Sequence, residues 1–187
     1  MGRDNKIKKI KEEVFIVNKI DEKIRLYGIM PIITIENVED AVPTAKALCD
    51  GGLPIAEVTF RTSQAKEAIK EITKAFPDML MGAGTVLTKE QVDQSIEAGA
   101  KFIVTPGINP NIVKYCIEKN MPIYPGCATP SDLDLAVELG LNIVKFFPSE
   151  QLGGIRIYKS NSCTICKYVI CSNRWYYRKK YKRIFII

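Results

Sequence analysis

One pattern constrains this chain more than any other. Short apolar runs rich in β-branched residues return about every 20 to 25 residues, and a helix-length stretch follows each of them. The runs are Ile29–Ile35, Ile55–Phe60, Met79–Met81, Phe102–Thr105, Met121–Tyr124 and Asn142–Phe147, and the helical stretches lie near 37–50, 63–76, 88–98, 109–119 and 129–139. Helix starts are marked by the capping-box spacing of Thr88 to Gln91 and by Thr129 before Pro130. Helix ends are marked by Gly51, Gly99 and Gly140. Such repetition predicts βαβ units and a parallel sheet. The runs are continuously apolar rather than alternating, which predicts a sheet covered on both faces. An open doubly wound sheet and a (β/α)8 barrel both meet these conditions. No Gly-x-Gly-x-x-Gly follows the first run, so the barrel is favoured, with six of its eight strands visible. Ahead of the repeats, Ile7, Ile10, Val14, Val17, Ile20 and Ile24 recur at helical spacing and predict an amphipathic helix over about 5–26.

Composition matters most where it changes. The 187 residues carry a net charge of +6, but residues 156–187 hold nine Lys or Arg and no acidic residue. That leaves 18 basic against 21 acidic residues over 1–155, a net of −3. The same tail holds three of the six cysteines, the single Trp and five of the eight tyrosines. Two segments are therefore expected: a barrel portion over 1–155 and a basic tail over 156–187. No run of about 18 apolar residues predicts a membrane span. The polar N-terminus lacks the form of a secretion signal, so reduced thiols and a cytoplasmic location are expected.

There is no histidine. Ser-His-Asp, Cys-His and His-ligated metal chemistry are thereby excluded, leaving Lys, Glu, Asp, Arg, Thr, Ser or Cys. In a barrel the chemistry sits at the C-terminal ends of the strands. Lys145 lies between Val144 and Phe146-Phe147, where poor solvation favours the neutral amine, a nucleophile toward ketones. The same position also suits a lysine that snorkels out or pairs with a carboxylate such as Glu57. Glu57 follows Ile55-Ala56 in an apolar run and suits proton transfer, or a plain ion pair. Arg61 suits a two-pronged grip on a substrate carboxylate, or a rim salt bridge. Thr85, after Gly82 and Gly84, offers a hydroxyl and nearby backbone N–H groups, or is simply a turn residue.

Six collinear segments carry a family resemblance: Gly28-Ile-Met-Pro31-Ile, Glu57-Val-Thr-Phe-Arg61-Thr62, Gly82-Ala-Gly-Thr85-Val-Leu, Val104-Thr-Pro106-Gly107, Tyr124-Pro-Gly126 and Val144-Lys145-Phe-Phe-Pro148-Ser-Glu150. From about residue 25 to 155 the chain resembles the 2-dehydro-3-deoxyphosphogluconate (KDPG) aldolase / 4-hydroxy-2-oxoglutarate (KHG) aldolase family. The resemblance implies a (β/α)8 TIM barrel of the class I aldolase type, usually a homotrimer, acting on small 2-keto acids without cofactor or metal. It implies a Schiff base on Lys145, with Glu57 as general acid/base. It also implies that Arg61 and Thr85 bind the pyruvate carboxylate and that Pro106 lines the pocket.

The resemblance stops near Ile155, so the barrel is expected to be truncated after its sixth strand. The family's seventh strand ends Pro-Thr-Gly-Gly-Ile and an eighth follows; neither motif is in the tail. Cys163-x-x-Cys166 with Cys171 could be read as metal ligands, and Arg174–Arg183 as a nucleic-acid patch. A lone CxxC is a weak signal and no nucleic-acid module surrounds the basic run, so neither metal nor nucleic acid is expected. A change of reading frame accounts for more. Ser172–Tyr177, back-translated and shifted by one nucleotide, can read Pro-Thr-Gly-Gly-Ile, and the single Trp codon forces the second glycine. The tail is therefore read as frameshifted and poorly structured. The competing reading is an inactive remnant, or a non-catalytic binding protein that uses the tail.

Overall fold

A computed structural model describes residues 19–154, residue 156 and, by their backbone pairing, residues 168–171. Residues 5–18 of the expected N-terminal helix lie outside this range; 19–27 are helical and form α1. Then come β1 (Ile32–Ile33), a 3-10 turn (Val38–Asp40), α2 (Ala41–Asp50), β2 (Ile55–Thr59), α3 (Ala65–Ala75) and β3 (Leu80–Gly84). They are followed by α4 (Lys89–Glu97), β4 (Phe102–Thr105), α5 (Pro110–Glu118), β5 (Ile123–Cys127), α6 (Pro130–Glu138), β6 (Ile143–Phe146) and β7 (Tyr168–Cys171). All neighbouring strands are parallel and follow chain order from β1 to β7.

Alternation along the strands sorts the apolar residues into two cores. Ala56, Val58, Met81, Ala83 and Ile103 face outward against α2, α3, α4 and α5, through residues such as Ala45, Ile69, Val92 and Val113. Val144 and Cys127 face outward against Leu133 and Ala136 of α6. The other face carries Ile55, Leu80, Phe102, Val104, Tyr124 and Ile143, joined by Ile24 of α1 and Met30, with Ile20, Tyr27 and Leu53 packed against them. An open doubly wound sheet would cover that second face with helices. Here the sheet instead covers it by curling on itself.

The curl can be measured. β2 and β6 are four strands apart in the sheet, which at about 4.8 Å per strand is about 19 Å if flat. Yet Lys145 Nζ of β6 lies 3.6 Å from Glu57 Oε1 of β2. Only a barrel-like wall brings them together. α1 plugs the N-terminal end of the interior, where the Tyr124 hydroxyl donates a 2.7 Å hydrogen bond to Asp21 Oδ1. The Phe102 and Tyr124 rings meet edge to face in the same layer, 5.7 Å between centroids.

Among the described residues the alternation of strand and helix ends at β6, as expected of a truncated barrel, and one run of the tail adds a strand beside it. Tyr168–Cys171 pairs in parallel with β6, from Tyr168 opposite Ile143 to Cys171 opposite Phe146. Tyr-Val-Ile-Cys is an aromatic and β-branched run suited to a strand. β6 would otherwise present a row of unpaired backbone groups. The Cys163/Cys166 pair and the Arg174–Arg183 stretch lie outside the described residues. Among the described residues there is no eighth strand, and β1 pairs only with β2. Register sets Ile32 beside Glu57, on the interior face, yet Ile32 is 41% exposed. Among the described residues no strand closes the barrel on that side.

Candidate active site

Period-two alternation puts Ile55, Glu57 and Thr59 on the interior face of β2, and Ile143 and Lys145 on that of β6. Glu57 is 1% exposed and Lys145 is 7% exposed. Lys145 Nζ also lies 5.2 Å from the centroid of the Phe147 ring. One carboxylate oxygen of Glu57 faces the lysine; the other, Oε2, is buried without a hydrogen-bond partner. Burial pushes the Glu57 carboxyl above its ordinary range. The nearby charge of Lys145, its hydrogen bond and the more distant charge of Arg61 oppose that rise without cancelling it.

Glycines make the room. A Cβ on Gly84 of β3 would stand 2.9 Å from Cδ and from Oε1 of Glu57. A Cβ on Gly82 would run into the Phe102 ring at 2.1 Å, and one on Gly126 of β5 would meet the Pro106 carbonyl oxygen at 2.1 Å. Gly126 is also the register neighbour of Lys145. The wall beside the amine therefore carries no side chain.

The other expected residues sit at the C-terminal rim. Arg61 follows β2 and is exposed, close enough to act on Glu57 by its charge. Thr85 follows β3, half-buried, with a left-handed φ of 57°. Pro106 follows β4 and lines a shallow depression of about 300 Å3 with Val86, Leu87 and Ile108. The structure thus joins Lys145 and Glu57 directly and ranges Arg61, Thr85 and Pro106 along the rim.

Two buried polar residues escaped the sequence reading. Thr59 is fully buried one alternation beyond Glu57; its hydroxyl is 3.0 Å from that of Thr34 and 3.2 Å from the Ile33 carbonyl oxygen. Ser149, just past β6, is fully buried and its hydroxyl has no partner. Counting in twos from Glu57 would have reached Thr59. No comparable signal marks Ser149.

Comparison with known proteins decides the family. The model for the KDPG and KHG aldolases matches residues 20–172. The chain belongs to the KDPG and KHG aldolase family. A KDPG aldolase of Treponema pallidum is 50% identical over 135 residues, which cover 72% of this chain and 64% of that relative. The match therefore spans just under two thirds of that enzyme. Among solved structures, a KDPG aldolase of Zymomonas mobilis has a TM-score of 0.78 and 40% identity, covering 84% of this chain and 76% of its own. A Legionella pneumophila KDPG aldolase, with pyruvate captured at low pH as a covalent carbinolamine intermediate, has a TM-score of 0.72 and 38% identity. It covers 75% of this chain and 69% of its own.

Proposed function

We propose that this member of the family is a Schiff-base aldolase for 4-hydroxy-2-keto acids. Its substrate would be 2-dehydro-3-deoxy-6-phosphogluconate, 4-hydroxy-2-oxoglutarate, or both, each cleaved to pyruvate and an aldehyde. The carrying observation is a buried amine 3.6 Å from a buried carboxylate that has a second, unpartnered oxygen. The captured pyruvate in the Legionella relative supports the same chemistry.

Lys145 Nζ adds to the C2 carbonyl, and loss of water leaves a protonated imine. The C3–C4 electron pair flows toward the imine nitrogen as the C4 hydroxyl proton passes to Glu57. An aldehyde departs and an enamine remains. Glu57 returns the proton to C3, and water releases pyruvate from Lys145. A carboxyl raised by burial takes and returns protons near neutrality more readily than an ordinary one. Arg61 holds the pyruvate carboxylate with Thr85, and Pro106 lines the pocket.

Three further readings rest on the family resemblance and the sequence. The tail is a shifted reading frame, the restored chain is a cytoplasmic homotrimer, and its product enters carbohydrate breakdown. No helix among the described residues is long and apolar enough to cross a membrane.

The test is reductive trapping. Incubation with pyruvate and borohydride should place a reduced pyruvyl group on the peptide containing Lys145, and Lys145→Ala should abolish it. Labelling at another lysine overturns the assignment.

A further inference from the structure

We propose that Gly84 is a positioning residue that fixes where the Glu57 carboxylate stands. This rests on Glu57 being the proton-transfer group. Gly84 is fully buried in β3, pairs with Thr59 of the adjacent strand and takes an ordinary strand backbone, so conformational freedom does not require glycine there. What requires it is the space above it. A Cβ would lie 2.9 Å from Cδ and Oε1 of Glu57 and 3.3 Å from Cγ, closer than such atoms pack. Oε1 is the same oxygen that faces Lys145 Nζ at 3.6 Å. Adding one methyl group must therefore move the oxygen that meets the amine.

Movement is constrained on the other sides. Glu57 is 1% exposed, so the carboxylate has no route into solvent. Gly82, two residues before Gly84 on the same face, has its space filled by the Phe102 ring. β3 thus carries two glycines with different tasks: Gly82 admits a core ring, and Gly84 admits the acid. Displacements of about 1 Å at a reacting group cost roughly a hundredfold in rate.

The step to watch is proton exchange at the methyl group of bound pyruvate. Glu57 removes a C3 proton from the protonated imine, the C–H pair forms C2=C3, and the C=N pair moves to nitrogen. In D2O the reverse step delivers deuterium. The rate of pyruvate deuteration, followed by proton NMR, therefore reads the placement of Glu57. Four chains are compared: the unmodified chain, Gly84→Ala, Glu57→Asp and the double variant. Gly84→Ala should slow exchange by about tenfold or more while borohydride still traps pyruvate on Lys145. In the Glu57→Asp background the carboxyl carbon stands where Cγ does now, 3.3 Å rather than 2.9 Å from the added carbon, so the methyl group should slow exchange clearly less than in the unmodified background.

Exchange in Gly84→Ala at the unmodified rate overturns the proposal. So does an equal loss in both backgrounds, which would mean that Gly84 acts through something other than Glu57. If Gly84→Ala fails to melt cooperatively, recovery of melting in the double variant supports the steric contact, and no recovery overturns it. Failure of the unmodified chain to trap or deuterate pyruvate removes the aldolase reading itself, a result distinct from any of these.

Discussion

Glu57 is the residue whose chemistry the wall of the barrel controls most directly. Its carboxyl is raised by burial, with the Lys145 and Arg61 charges opposing. A carboxyl whose folded pKa exceeds its unfolded one stabilises fully below the unfolded pKa, and that stability is lost as pH rises through the folded pKa. Glu57→Gln should therefore gain stability relative to the parent as pH climbs from the ordinary carboxyl range upward, measured as urea midpoints at several pH values. A difference that is flat with pH would show that the carboxyl titrates as it does in the unfolded chain. In kinetics the same variant should lower kcat more than it raises KM, whereas Arg61→Ala should mainly raise KM. Small equal effects would reduce the group to a structural ion pair. Lys145 and Glu57 were legible because a charged residue inside an apolar run demands a reason. Thr59 and Ser149 were not, because neutral hydroxyls are ordinary at strand ends and only burial makes them notable.

At the scale of elements, α6 shows how local signals hold the site strand. Thr129 Oγ1 accepts from the Asp132 N–H at 3.2 Å, and Asp132 Oδ2 accepts from the N–H groups of Ala128 and Thr129 at 2.9 Å each. The helix so started packs Leu133 and Ala136 against Val144, the residue before Lys145. Burial pushes the Asp132 carboxyl up, but its bonds to Ala128 and Thr129 outweigh that and leave it below the ordinary value. Its stabilisation is therefore present above the unfolded pKa and fades as pH falls through the folded one. Asp132→Ala should cost about 1 kcal/mol near neutrality, in line with losing a cap. The gap to the parent should close in acid, read from urea midpoints; a gap independent of pH would assign the loss to packing. The Thr88 and Thr129 caps were readable from the sequence, but the full box forms at Thr129 with Asp132 rather than at Thr88, where Gln91 accepts from the Leu87 N–H instead. The ends of β3 and β5 were not readable: those strands run to Gly84 and Cys127, whereas the apolar runs stop at Met81 and Tyr124. Glycine and proline weaken any strand signal. Here Gly82, Gly84 and Gly126 serve contacts from Phe102, Glu57 and Pro106, residues distant in sequence. β1 is also shorter than expected, two residues rather than seven, and among the described strands it pairs only with β2.

On the scale of the molecule, the decisive feature is that no strand among the described residues joins β1 to β7. The change of composition near Ile155 is plain in the sequence, because acidic residues vanish there and the quoted motifs end, while the family match runs on to residue 172. That the tail would lend β6 a partner is not plain there, since four apolar residues in a basic stretch carry little signal. β7 protects one edge of β6, but it lacks Pro-Thr-Gly-Gly, whose backbone donors are expected to hold a substrate phosphate in the family. On the other side, Ile32, the register neighbour of Glu57, is 41% exposed while Glu57 itself stays buried. Two consequences follow for catalysis. If the tail is a shifted frame, binding energy from a remote phosphate, which would help place C2 over Lys145, is lost with it. If no strand closes the wall between β1 and β7, the 3.6 Å separation of Lys145 and Glu57 is also less constrained, and small errors in such geometry are expensive. Pyruvate, which needs no phosphate site, should suffer least. The 187-residue chain should thus retain trapping of pyruvate on Lys145 while turning over the phosphorylated keto acid far more slowly than a chain with one nucleotide corrected near codon 155. The corrected chain should also melt at a higher temperature, because a strand closing the barrel buries Ile32 and pairs the second edge of β1. Expressing both, and comparing cooperative melting with pyruvate release from the phosphorylated keto acid, checks each part. Turnover of the shorter-barrel chain within tenfold of the corrected one would show that β7 suffices for the reaction.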